Sequence, residues 1–379
     1  MDGQIFTWQT QNDTFDDLKQ GLILAKNSGA KSLMILTCTQ NSYPEQDLNT
    51  LLQSYSLPIF GGIYPMITHK EKLIKQGALI IGFKERYEVS IFSDLHLLKS
   101  EDALEDLINS QLEKNKNFHG QDNFLMFYDG LMTNIEDFID SIFECLDHSI
   151  TIAGGGAGHL DFIQRPCIFT NQGLHTNVVL LVTLPRKLTT SIAHGWKILQ
   201  GPYLVSEAQG QTVQSLNYQP AFEIYSQAIE NASEYKFQTE NFFDIAKHFP
   251  LGIDDMSNNL IVRDPILTEN NHLQCVGKIP INSMVYLLEG DINNLINAAE
   301  EAAVNVFLNS NNPTEQIAMV FDCISRVLYM EDEFDRELQV INKHCSSSAL
   351  FGVLSIGEIA NSKSGSIRLL NKSTVIGAW

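Results

Sequence analysis

The chain has 379 residues, 44% apolar and 18% charged, enough to bury a large core and too apolar for a disordered class. Lys plus Arg number 25 against 45 Asp plus Glu, a net charge of −20. This argues against nucleic acid and anionic membrane as partners, because both are held by basic patches that displace counterions. Six cysteines (Cys38, Cys145, Cys167, Cys275, Cys323 and Cys345) form no CxxC pair, and residues 1–4 open no secretory signal. They read as reduced thiols of a cytoplasmic protein. Apolar runs such as 178–182 are too short to span a bilayer.

In chain order, Phe15, Leu18, Leu22, Ile23 and Ala25 predict a helix over 14–28. A strand at 33–37 follows. Leu48, Leu51 and Leu52 mark a second helix, and Pro58 leads a strand into Gly61-Gly62. Strands are expected at 77–83 and 87–92, then a helix at 101–114. A strand from Phe124, a helix at 134–146 and a strand into Gly154-Gly155-Gly156 come next. Strands at 167–170, 178–184, 189–198 and 203–208 precede a helix at 219–230. Residues 231–240 are polar and read as a linker. Beyond it lie strands at 260–263, 272–275 and 285–288. Asp291 caps a helix with Leu295, Ile296, Ala299, Ala303 and Val306 on one face. The chain ends in strands near Ile367 and Val375.

One pattern occurs three times. Strands at Met34, Met126 and Met319 are each followed by a helical segment and then by an apolar step into glycine: Phe60-Gly61-Gly62, Ala153-Gly154-Gly155-Gly156 and Phe351-Gly352. The glycines are expected as turns, since glycine tolerates positive φ and close backbone approach. The expected fold is α+β: repeated helix–strand–helix–strand–glycine-turn units forming sheets flanked by helices, in two packed parts. The parts are placed at 14–232 and 233–379.

No GxxxxGK[ST], GxSxG or HExxH motif is present. Arg326 and Glu358 lie beyond strand ends of the third repeat, with Cys323 beside them in sequence. A guanidinium and a carboxylate there can hold the carboxylate and ammonium of a small ligand. The alternative is a structural Arg–Glu pair over a buried Cys323. Cys323 as the nucleophile of a hydrolase is the weakest reading, because no histidine lies near it in sequence. Among the histidines, His159 follows the central glycines, His194 sits on an apolar strand and His248 precedes Phe249-Pro250. Each is either a packed residue or an imidazole that meets an iron centre or a polar group of a ligand.

Several stretches, in this order, resemble the FIST proteins, a two-part sensory module of prokaryotic signalling. They are Ile59-Phe60-Gly61-Gly62, Gly154-Gly155-Gly156-Ala157-Gly158, His194-Gly195-Trp196, Pro220-Ala221-Phe222-Glu223, Pro250-Leu251-Gly252, Val262-Arg263-Asp264-Pro265, Cys323-Ile324-Ser325-Arg326 and Gly357-Glu358-Ile359-Ala360. The resemblance runs from about residue 15 to the C-terminus. It implies an intracellular sensor, not an enzyme, with amino acids among the ligands. Many relatives carry a fused output domain, and none is expected here. Stand-alone relatives include haemoproteins that sense nitric oxide and act on a separate histidine kinase. That subset implies haem b on a histidine, matched first to His248 and then to His194, with a homodimer as a further partner state.

Overall fold

The computed structural model describes residues 5–98, 100–114, 121–146, 150–254, 260–308, 316–345, 349–362 and 365–379. Residues 1–4, read above for a targeting signal, lie outside these.

The first unit comprises β1 (Ile5–Thr10), α1 (Phe15–Asn27), β2 (Ser32–Cys38), α2 (Glu45–Gln53), β3 (Ile59–Tyr64), β4 (Met66–His69), β5 (Lys72–Ile74) and β6 (Ala78–Phe83). The second repeats it with β7 (Glu88–Phe92), α3 (Glu101–Lys114), β8 (Asn123–Asp129), α4 (Ile135–Cys145), β9 (Thr151–Ala157), β10 (Ile168–Thr170), β11 (Gly173–His175) and β12 (Val179–Thr183). The third begins with β13 (Thr189–Ala193) and is then interrupted. The insert holds β14 (Lys197–Gln209), β15 (Thr212–Leu216), β16 (Gln219–Pro220), α5 (Ala221–Ala232), α6 (Phe242–Ala246), β17 (Leu251–Asp254), β18 (Leu260–Glu269), β19 (His272–Val276) and β20 (Met284–Glu289). The unit resumes with α7 (Ile292–Leu308), β21 (Ile317–Cys323), α8 (Ile324–Met330), α9 (Phe334–His344), β22 (Ala349–Ser355), β23 (Glu358–Asn361), β24 (Ile367–Leu370) and β25 (Thr374–Ala378).

Each unit is built on one parallel pair closed by a helical crossover, as parallel neighbours require. These pairs are β2–β3, β8–β9 and β21–β22. Met34 faces Phe60, Met126 faces Gly154 and Met319 faces Phe351. The second repeat is thus one residue out of step with the alignment read from sequence. An antiparallel strand from the same unit flanks each pair on the first-strand side: β6, β12 and β25. Beyond these lie the edge strands β1, β7 and β13.

On the other side the units exchange strands. The hairpin β4–β5 of the first unit pairs with β22 of the third. The hairpin β10–β11 of the second pairs with β3 of the first. The hairpin β23–β24 of the third pairs with β9 of the second. Three six-stranded sheets of like order result among the described residues.

The glycines predicted as turns lie within strands: Gly61 and Gly62 in β3, and Gly154, Gly155 and Gly156 in β9. Their role is close approach. A Cβ on Gly155 would stand 2.7 Å from Phe321 Cδ1 and 2.9 Å from Ser355 Cβ, both of the third unit. One on Gly62 would stand 3.0 Å from Ala157 Cβ of the second. The sheets meet in a shared core where the Phe127 ring contacts Phe60 at 5.8 Å and Phe321 at 6.0 Å.

The insert forms a seven-stranded sheet, β14-β20-β17-β18-β19-β15-β16, backed by α5 and α6. The stretch read as a linker packs into it: Phe237 meets Phe222 edge-on at 5.2 Å, and Tyr235 stacks on His248 at 5.3 Å. The architecture is α+β, with mixed sheets flanked by helices, in two packed regions.

Candidate ligand-binding site

β21 ends at Asp322-Cys323, and α8 places Arg326 one helical turn beyond Asp322. The Arg326 side chain is fully buried. Its Nε lies 3.3 Å from Asp322 Oδ1 and donates to Glu337 Oε1 at 3.0 Å. Nη1 donates to the carbonyls of His194 (2.8 Å) and Lys372 (3.3 Å). Nη2 donates to the Leu295 carbonyl (3.0 Å) and to Glu337 Oε2 (2.5 Å). All three nitrogens are spent inside the chain, so the guanidinium is a staple between α7, α9 and the segments after β13 and β24. Its glutamate partner is Glu337, not Glu358.

Glu358 opens β23 in sheet two, opposite Gly155. It accepts from Ser355 Oγ at 2.7 Å and from the Cys323 thiol. Burial pushes its carboxyl up to about 8, against the opposing hydrogen bonds from Ser355 and Cys323. Asp322 is also pushed well up, by burial and then by Glu337 beside it. Burial and the Glu358 and Asp264 carboxylates push the Cys323 thiol up, which leaves it protonated and unactivated. Lys372, buried before β25, donates to the Lys247 carbonyl at 3.0 Å, lies 3.2 Å from Asp264 Oδ1 and covers the Trp196 ring at 5.2 Å. Arg263 next along is taken by Glu136 at 2.8 Å. Among the described residues, Arg326 pairs with Asp322 and Glu337 and Lys372 with Asp264, and burial favours the protonated forms of Asp322 and Glu358.

The structure therefore brings Cys323 and Glu358 together and Arg326 near them, all within the interior. Sequence reasoning missed Glu337, Lys372 and Asp264. Glu337 did carry a signal: it shares the apolar face of α9 with Phe334, Leu338 and Ile341. Lys372, in a polar turn, carried none.

An open cleft of about 710 Å³ lies to one side, between β13, α7, the start of β18 and the β23–β24 hairpin. Its wall includes Ser191, His194, Ala298, Glu301, Ala302 and Arg368. His194 links it to the buried network, since its carbonyl accepts from Arg326.

The His194 ring is fixed from behind: Nδ1 accepts the Trp196 backbone N–H at 3.0 Å. Burial, with Arg326 adding to it, holds its pKa down to about 4. A neutral imidazole accepting at Nδ1 carries its proton on Nε2. An iron ligand has the reverse arrangement, a bare Nε2 and a donating Nδ1, so His194 as placed does not fit haem. His248 follows α6, with Tyr235 stacked on its ring and Tyr329 edge-on at 5.0 Å. Burial, then Lys247 and Lys372, holds it down to about 4. Its imidazole is neutral, as iron needs, and Tyr235 covers one face of the ring. Among the described residues no group of three or more His, Cys, Asp or Glu is placed to hold a metal ion. None of their helices is long and apolar enough to cross a membrane.

An open cleft thus lies beside a buried charge network in which the Cys323 thiol is held protonated. The FIST N domain matches residues 32–219 and the FIST C domain residues 221–361. The chain belongs to the FIST-domain family, sensory modules of signal transduction. No curated protein matches it. The two matches meet between β16 and α5, inside the insert.

Proposed function

We propose that this chain is a haem-free sensor whose small-molecule ligand, of which an amino acid is one form, binds in the cleft beside β13 and alters contacts with a separate signalling protein such as a histidine kinase. One observation carries this reading: the cleft walls come from the third unit, the insert and the exchanged hairpin. A ligand there touches three differently connected parts, so it can favour one arrangement of them over another, as a sensor requires. The test is thermal denaturation of the purified protein against the common amino acids and small organic acids, repeated with Ala298→Trp to fill the cleft. A compound that raises Tm in the wild type and not in the variant supports the reading. Stabilisation that survives in the filled cleft overturns it.

The neutral His248 amid aromatic rings favours a second reading, in which haem binds there and reports nitric oxide. Absorption after haem reconstitution decides it. A sharp band that shifts with nitric oxide and is lost in His248→Ala supports haem, and no stoichiometric band excludes it.

A further inference from the structure

We infer that the cleft takes a small monocarboxylate, received by the Nε2–H of His194 and the guanidinium of Arg368. This rests on the reading of the cleft as the ligand site and adds the ligand's charge and the groups that meet it.

The acceptor role of Nδ1 toward Trp196 leaves the His194 ring one function at neutral pH, donation from Nε2. Among the described residues that nitrogen has no partner, and the half-buried His194 belongs to the cleft wall. An N–H that no protein group takes, on a residue of a cleft wall, is open to an acceptor atom of whatever fills the cleft. Arg368 lines the same cleft from β24, exposed and without a hydrogen bond or ion pair among the described residues. By contrast, Arg263, Arg326 and Lys372 nearby are all paired. In a chain of net charge −20, a guanidinium that shares the cleft wall with a fixed N–H donor, and that acts without an ion pair on the Asp140 carboxyl, favours an anionic oxygen ligand, and its planar fork matches a carboxylate. The other charged group of the wall is Glu301 on α7, which repels a second anionic end and sets a monoanion above a dianion. The Asn361 side chain offers nothing further, since it is spent on Ile150, Ile152 and Gly365. A ligand drawing on the His194 ring also pulls on the residue whose carbonyl holds Arg326 at 2.8 Å. Occupancy of the cleft is thereby felt by the staple that joins α7 to α9.

The test uses the full chain labelled with ¹⁵N-histidine and three probes: propionate, its neutral isostere propionamide, and malonate. Propionate is expected to shift the His194 Nε2 resonance and to bind about tenfold more tightly than either other probe. His194→Asn keeps an acceptor for the Trp196 N–H and loses the Nε2 donor, while Arg368→Gln alters an exposed side chain. Each is expected to weaken propionate about tenfold with Tm unchanged. Equal binding of propionamide or malonate overturns the charge assignment. Propionate binding that ignores both substitutions overturns the residue assignment. If no probe moves the His194 resonance, the inference fails, whereas the Ala298→Trp comparison judges the broader reading separately.

Discussion

At Arg326 the fold replaces the hydration of a guanidinium with two carboxylates and three backbone carbonyls. An ammonium is a point charge with three donors and cannot span that set. Arg326→Lys is expected to cost about 3–5 kcal/mol in urea denaturation, because it leaves buried acceptors uncompensated. Glu358 gives a pH-dependent expectation. Its carboxyl is raised from the ordinary range to about 8, so the folded state binds the proton more tightly than the unfolded state does. Stability is therefore full below the unfolded pKa and falls as pH rises through that value toward 8. Glu358→Gln mimics the protonated form. The variant is expected to keep its stability where the wild type loses it, as pH rises from about 5 toward 8, read from denaturation midpoints. Sequence pointed to the right neighbourhood here and to the wrong partner. Arg326 and Glu358 sit at corresponding strand ends, but the residue that reaches the guanidinium arrives on α9, whose approach is set by tertiary packing and not by the repeat.

The strands after each crossover carry glycine because neighbouring sheets press against them. Gly155→Ala puts a methyl where Phe321 and Ser355 already stand, 2.7 Å and 2.9 Å away. An expected loss of about 1–3 kcal/mol in chemical denaturation checks the close approach, and an unchanged midpoint refutes it. The unit itself was legible, because helix and strand periodicities are local and the Met34–Phe60 and Met319–Phe351 steps are true cross-strand partners. The glycines were misread as turns because a glycine beside apolar residues looks alike in either setting. What separates the two is the backbone of another sheet, which sequence does not display. The exchange of hairpins was invisible for the same reason: β4–β5 is an ordinary hairpin whose docking strand lies in the third unit.

For the molecule as a whole, residue 220 divides the two family matches without dividing the structure. Among the described residues, three of the four sheets take strands from both sides of it: β9 pairs with β23, β13 with β25 and β14 with β20. Fragments 1–219 and 220–379 are each expected to lack a cooperative denaturation transition and near-ultraviolet circular dichroism, while the intact chain shows both. A fragment that unfolds cooperatively by itself would contradict the shared sheets. The polar stretch 231–240, read as a linker between parts at 14–232 and 233–379, lies inside the insert, from the end of α5 to just before α6.

The exchanged hairpins also set a timetable for synthesis. Chains fold largely as they emerge, first-made parts first. The first-made hairpin, β4–β5, cannot find its neighbour until β22 leaves the ribosome, after the second unit and the insert have been made. Until then it offers an unpaired strand edge, a template for misassociation. The second sheet likewise waits for β23. A nascent chain of this protein thus carries unpaired edges on β4 and β9 until the third unit has been made.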